Sequence, residues 1–280
     1  ASNSNAAIQA LGAGQTLTDT IAVKTADGTT QNVVITINGT NDAAVITGTS
    51  TGSVTEDTAA TLTTTGKLSV TDTDAGQATF QAGTTAGTYG SVTIDAAGNW
   101  TYSASNSNAA IQALGAGQTL TDTIAVKTAD GTTQNVVITI NGTNDAAVIT
   151  GTSTGAISES NVAQSVSGTL SATDIDGPAT FVVQTAVAGN NGFGKFSITS
   201  AGVWTYAMDS AQNQFKAGQT YTDSITVRTA DGTARVLTVT MTGTNDAPTM
   251  SSAAVSDATT QPRSSRPNTN GLTPCGSRAA

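Results

Sequence analysis

Residues 119–141 read TLTDTIAVKTADGTTQNVVITIN. In the second half of this stretch Val136, Ile138 and Ile140 share one parity, while Val137, Thr139 and Asn141 take the other. A period of two with one apolar face is the mark of a half-buried strand. In the first half Leu120, Ile124 and Val126 line one face in the same way. Ala129-Asp130-Gly131 joins the two runs, and its glycine supplies the positive φ that a tight hairpin requires. Upstream, Val92 and Ile94 lead through Ala97-Gly98-Asn99 into Trp100 and Tyr102, a second hairpin with its large side chains on one face. Short β-branched runs punctuated by Gly, Asp and Asn predict an all-β sandwich of about 100 residues with these apolar positions as its core. Asn108 to Leu114, rich in Ala, Ile and Leu, predicts one or two helical turns as a minor element.

The same text returns elsewhere. Ala1 to Gly52 recurs letter for letter as Ala104 to Gly155, and a diverged third version runs from about Gly218 to Asp246. A period of about 100 residues is too long for a solenoid turn or a propeller blade and matches one small domain. The reading is therefore of tandem β-sandwich domains, at 43–145 and 146–246. Residues 1–42 form the C-terminal half of a truncated preceding repeat, so the chain reads as an internal piece of something longer. Half a sandwich cannot bury its apolar face, so 1–42 is expected to be poorly ordered alone or to compete with its twin 104–145 for the front half 43–103. The covalent neighbour is expected to win, because its closure costs less chain entropy. The diverged copy keeps the frame, with Phe193 where the first has Tyr89 and Tyr221 where it has Leu120. Residues 247–280, rich in Pro and Ser, with Arg263, Arg266, Arg278 and the sole cysteine Cys275, lack strand periodicity and are expected to be a disordered tail.

Composition excludes several chemistries. The 280 residues include 10 Lys+Arg against 19 Asp+Glu, no His and one Cys, for a net charge of −9. Without imidazole, Ser–His and Cys–His nucleophiles and zinc sites are effectively excluded. No basic stripe exists to displace counterions from phosphates, so no nucleic-acid partner is expected. No apolar run approaches the roughly 18 residues of a membrane span, and the chain is expected to be monomeric.

Most of the acids are Asp in turns, where Asp beside Gly is ordinary turn chemistry. Their placement along the strand order gives them a second meaning. If the first strand of a unit runs down from the upper joint, the next returns and ends at Asp72-Thr73-Asp74, placing both carboxylates at the top. The final hairpin brings Asp130 there, and the linker from the previous unit carries Asn41-Asp42. Glu56 follows Asp42 by a stretch of roughly 45 Å if fully extended, so it belongs at the bottom. There it faces Asn144-Asp145 and the next unit's Asp174, Asp176 and Asp231. Glu159 with Asn245-Asp246 repeats the plan. Hard oxygen donors without nitrogen or sulfur call for Ca²⁺, which accepts six to eight of them in flexible geometry. Two carboxylates about 6 Å apart repel by roughly 3 kcal/mol at an effective dielectric near 20, so such a joint is expected to swing without metal and stiffen with it.

Gly243-Thr244-Asn245-Asp246-Ala247-Pro248, Thr71-Asp72-Thr73-Asp74, Gly98-Asn99-Trp100-Thr101-Tyr102 and Thr128-Ala129-Asp130-Gly131 resemble the VCBS repeats of large bacterial surface adhesins. The joint is also similar to that of cadherins, whose linkers carry an Asn-Asp pair and whose next domain supplies an Asp-x-Asp. The resemblance implies an immunoglobulin-like, cadherin-like sandwich, with Asn144, Asp145, Asp174, Asp176, Asp231 and Glu56 as calcium ligands. It further implies export to the cell surface or beyond, by type I secretion, in support of cell adhesion or biofilm formation. Host-cell or matrix contacts would then be made by domains outside this chain.

The first functional reading is thus a structural extender whose partners are calcium and the neighbouring repeats. A carbohydrate- or protein-binding module is the second, but it needs exposed aromatic platforms, and Trp100, Tyr102, Trp204 and Tyr206 share parity with the inward face. A carboxylate-pair hydrolase using Asp72 and Asp74 or Asp174 and Asp176 is the third. Such a pair recurring in every unit at a joint, with no pocket implied, argues against an enzyme. Asp122 and Asp223 share parity with core side chains and fit neither plan; buried carboxylates bound to loop amides are the expected reading.

Overall fold

The computed structural model describes residues 2–246. The chain divides after Thr244 into a large unit and a second one from Asn245 onward. The expected tail, at 247–280, lies outside the described residues.

The predicted alternation appears directly as burial. Val136, Ile138 and Ile140 are fully buried, and the residues between them are partly exposed. The first complete repeat begins with β3 (Val45–Gly48), β4 (Thr51–Thr55), β5 (Thr61–Thr71) and β6 (Gly83–Ala86). It continues with β7 (Gly90–Ile94), β8 (Asn99–Ser105), the four-residue helix α2 (Ala109–Gln112), β9 (Thr119–Lys127) and β10 (Thr133–Asn141). Two sheets result, one in the order β3-β5-β8-β7-β6 and one in the order β4-β10-β9. Their inner faces enclose one core that includes Leu62, Leu68, Phe80, Val92, Trp100, Ile124 and Ile138.

The leading strand departs from the single run expected of it. At Gly48, φ is +101°, and a Cβ there would lie 2.5 Å from the Lys67 carbonyl oxygen. Only glycine fits this crossing. β3 pairs antiparallel with β5, and β4 crosses to the other sheet to pair parallel with β10, Val54 opposite Ile140. The Glu56 amide extends that ladder by donating to the Asn141 carbonyl at 3.0 Å. The crossing thereby delivers Glu56 to the end of the last strand.

Trp100 anchors the core. Its indole lies over Gly66, where a Cβ would fall 2.3 Å from the ring, and its Nε1–H donates to the Thr49 carbonyl at 2.8 Å. Asp122 is also fully buried. Its carboxylate accepts the amides of Thr88, Tyr89 and Gly90 at 2.8–3.0 Å and the Tyr102 hydroxyl at 3.1 Å. The β6–β7 loop is thus tied to β9 across the sandwich, which is the amide-binding role expected of this residue. Burial and the neighbouring Asp122 charge push the Tyr102 hydroxyl pKa up.

The second complete repeat has the same plan through β11 (Val148–Gly151), β12 (Thr154–Ser158), β13 (Ser165–Thr173) and β14 (Gln184–Ala188). β15 (Gly194–Ile198), β16 (Val203–Met208), β17 (Thr220–Arg228) and β18 (Ala234–Thr242) complete it. Asp223 repeats the role of Asp122 with the amides of Asn191 and Phe193 and the Tyr206 hydroxyl. Among the described residues this repeat has no counterpart of α2. Phe193, Phe215 and Tyr221 fill that end instead, with Phe215 and Tyr221 stacked at 3.9 Å.

Residues 1–42 contribute α1 (Ala6–Gln9), β1 (Thr16–Lys24) and β2 (Thr30–Asn38). β1 and β2 pair as a two-stranded sheet in the register of β9 and β10, Thr16 opposite Asn38 as Thr119 is opposite Asn141. The same sequence has a different fate without a front half: Ile35 is 46% exposed where its twin Ile138 is 0%. No helix among the described residues is long and apolar enough to cross a membrane.

Candidate metal site at the repeat joints

The route of the chain brings most of the predicted acids to two joints. At the first, the Asp42 amide donates to Asp74 Oδ2 at 2.9 Å, and the Ala44 amide donates to Asp130 Oδ2 at 3.1 Å. The Asp74 amide in turn donates to Asp72 Oδ1 at 2.9 Å. The second joint repeats these contacts. Asp176 Oδ2 accepts from the Asp145 amide at 3.1 Å, Asp231 Oδ2 from the Ala147 amide at 3.0 Å, and Asp174 Oδ1 from the Asp176 amide at 3.2 Å. Glu56 joins from the preceding repeat, its Oε1 accepting the Thr143 amide at 2.8 Å.

The acids fall into two kinds. Asp130 takes hydrogen bonds on both oxygens, from Thr128 Oγ1, from the Thr132 amide at 3.1 Å and from Thr132 Oγ1 at 2.6 Å, besides the linker. Those bonds hold its carboxyl well below the usual range. Asp231 is built identically; burial pushes its carboxyl up, but Thr229, Thr233 and the Ala147 amide outweigh that and hold it low. These two fasten the incoming linker, with their charge already stabilised.

The other kind keeps oxygens that have no hydrogen-bond partner. Glu56 Oε2, Asp72 Oδ2, Asp74 Oδ1, Asp145 Oδ2, Asp174 Oδ2 and Asp176 Oδ1 are buried and have no hydrogen-bond partner, and so is Glu159 Oε1 at the end of the second repeat. Unpartnered buried polar atoms are rare in native folds and expensive. Burial raises the Glu56 carboxyl above its ordinary range, and Asp57, Asp145 and Asp176 repel it further. Asp145 is raised for the same reason, with Asp57, Asp176 and Asp174 as its neighbours, and Asp174 is raised by burial and by Asp176. Among the described residues no group of three or more His, Cys, Asp or Glu is already arranged to hold a metal ion. The donor set nonetheless fits one: hard anionic oxygens, desolvated, mutually repelling and, among the described residues, paired with no Lys or Arg.

The remaining predicted ligands are placed differently. Asn41 and Asn144 turn their side-chain amides to the carbonyls of Asp42 and Asp145, at 3.1 and 2.9 Å. Asn245 and Asp246 belong to the second unit, where the Asn245 amide makes the same local contact. Glu159 Oε2 accepts from the Thr244 amide and hydroxyl at 3.2 and 2.7 Å. One acid escaped the sequence reading. Asp57 has φ +60°, and its Oδ2 accepts the Thr143 hydroxyl at 3.3 Å, beside the Glu56 contact. Its signal in the sequence was only that it follows Glu56.

Two stretches, 41–142 and 144–244, match the family model of the bacterial cadherin-like domain. The chain belongs to that family. Its two cadherin-like repeats are thus the two sandwiches described above, as the expected tandem array of cadherin-like domains requires. No curated protein matches the chain. Among solved structures, PcdhgB3 EC1-4 is 15% identical with a TM-score of 0.46, covering 83% of this chain and 67% of that one. The human desmocollin-1 ectodomain is 13% identical, TM-score 0.37, covering 80% and 47%. A Ca²⁺-stabilized adhesin of an Antarctic bacterium that binds ice is 18% identical, TM-score 0.28, covering 82% and 57%. The chain therefore spans between about half and two thirds of these structures.

Proposed function

We propose that the two cadherin-like repeats are extender units of a secreted bacterial adhesin, made rigid by calcium at the joints. The buried, unpartnered carboxylate oxygens that gather where one repeat meets the next carry this reading. Glu56, Asp145, Asp174 and Asp176 would hold the ion between the complete repeats, and Asp42, Asp72 and Asp74 would hold one at the preceding joint. Bound Ca²⁺ supplies the positive charge these oxygens lack and accepts six to eight of them. Meanwhile the Asp130 and Asp231 clamps keep each linker seated. With a dissociation constant near 10⁻⁴ M, the order found in extracellular modules, and calcium a hundredfold above it, each site adds roughly 2.7 kcal/mol to its joint.

The uses of the aromatic residues support a spacer over a binding module. Trp100, Tyr102, Trp204 and Tyr206 are all buried, so they offer no platform to a glycan. Location at the cell surface or outside the cell follows from the same reading, as do monomeric behaviour and adhesion mediated by parts of the protein other than this chain.

Small-angle scattering of the full chain tests the mechanical claim. In millimolar calcium the maximum dimension is expected to exceed that in EGTA, with a narrower distance distribution, and chelation is expected to reverse both. Identical profiles across that range would end the strut model.

A further inference from the structure

Asp57 is held in a way that its position at the surface does not require. A non-glycine residue at φ +60° sits in the left-handed region, which is retained where surroundings over-determine it. The Asp57 amide donates to Asn106 Oδ1 at 2.9 Å, while Asp57 Oδ1 accepts the side-chain amides of Asn106 and Gln112 at 2.9 and 3.0 Å. This leaves Oδ2 turned toward Thr143, the residue whose amide grips Glu56.

The chain contains its own control. In residues 1–42, Asn3 and Gln9 are the twins of Asn106 and Gln112, but no residue there corresponds to Asp57. The two amides then bond each other, Gln9 Nε2 to Asn3 Oδ1 at 3.2 Å. In the complete repeat both are recruited to Asp57. The second repeat has Ser160 after its Glu159 and lacks the counterpart of α2, and Ser160 closes a local turn by donating to the Val162 carbonyl at 3.0 Å. Between the two complete repeats, the acid and the helix that carries Gln112 are therefore present together or absent together.

Resting on the calcium reading above, we infer that Asp57 is an additional oxygen ligand at the joint between the complete repeats, one that the second repeat does not supply. Glu56, fully buried, points an unpartnered Oε2 into the same cluster. Asp57 lies close enough to Glu56 and Asp145 for their like charges to repel. Asn106 and Gln112 are positioning residues: by occupying Oδ1 they aim Oδ2 at the joint. The central joint thus forms a tighter class of site than one built on a Glu-Ser pair.

Calcium titration calorimetry on the full chain, wild type against Asp57→Asn, is the test. Asn tolerates the left-handed conformation, so the turn survives; Asp57→Ser, which copies the second repeat, is the companion variant. Melting in EGTA verifies that each variant is folded. At least a tenfold loss of affinity in the tightest class, or loss of one bound ion, is expected in both. Wild-type affinity and stoichiometry in both folded variants would overturn the role of Asp57 while leaving the calcium reading intact. A wild-type chain that takes up no calcium would overturn both.

Discussion

Replacing Asp122 with Ala is expected to destabilise the first complete repeat by roughly 3–5 kcal/mol, the cost of breaking a buried charged network. The carboxylate is the shared acceptor for three consecutive backbone amides, at Thr88, Tyr89 and Gly90, and for the Tyr102 hydroxyl. Alanine leaves four donors without their acceptor, three of them partly buried amides and one the fully buried Tyr102 hydroxyl, at about 1–3 kcal/mol for each that water does not reach. No local rearrangement replaces it, because the amides lie in a loop of one sheet and the acid on a strand of the other. Asp122→Asn is expected to fare little better, since its amide would turn a donor toward donors. Chemical denaturation followed by tryptophan fluorescence reads the effect, with Trp100 and Trp204 as the reporters of the two repeats. Because Asp122 lies within the repeat, the loss should be the same in calcium and in EGTA. A loss below about 1 kcal/mol would show that the loop does not depend on this carboxylate.

Glu56→Gln is expected to change sign with calcium. In EGTA the wild-type carboxylate is buried, repelled by Asp57, Asp145 and Asp176, and has one oxygen without a partner. Removing its charge is then neutral or stabilising, by up to about 1 kcal/mol, because the Thr143 amide still finds an acceptor. In saturating calcium the same substitution removes a charged ligand and should forfeit much of the roughly 2.7 kcal/mol of binding stabilisation. Thermal melting of both proteins in both buffers gives the four values required. A substitution that destabilises equally with and without calcium would mark Glu56 as a structural acid and not a ligand.

The two predictions probe residues that differ in how plainly the sequence declared them. Asp122 betrayed itself by parity, because an acid in step with Leu120, Ile124 and Val126 has to be buried. Hairpins at Gly98 and Gly131 and the core around Trp100 were equally open to a period-two reading. The sheet crossing at Gly48 was not, since a glycine within a β-branched run serves a bulge, a bend or a crossing, and only the parallel partner β10 decides among them. Convergence of Glu56 on Asp145 and Asp176 followed from counting strand directions, yet the split between clamping and unpartnered acids did not. That split depends on Thr128 and Thr132 folding back on Asp130, a local geometry that spacing does not encode. Asp57 was missed because an exposed acid beside a buried one looks redundant until its backbone angle and its two amide partners are seen. The loss of α2 in the second repeat has the same origin: a few changed residues around Phe215 replaced a helical turn by stacked aromatics.

Direct measurement of calcium uptake by the full chain, by equilibrium dialysis or calorimetry, tests the central claim that the unpartnered oxygens at the joints seat a cation. Saturable binding at submillimolar concentration, abolished by combining Glu56→Gln with Asp174→Asn and Asp176→Asn at the central joint and Asp72→Asn with Asp74→Asn at the preceding one, is the predicted result. No uptake by the folded chain at several millimolar calcium would contradict it.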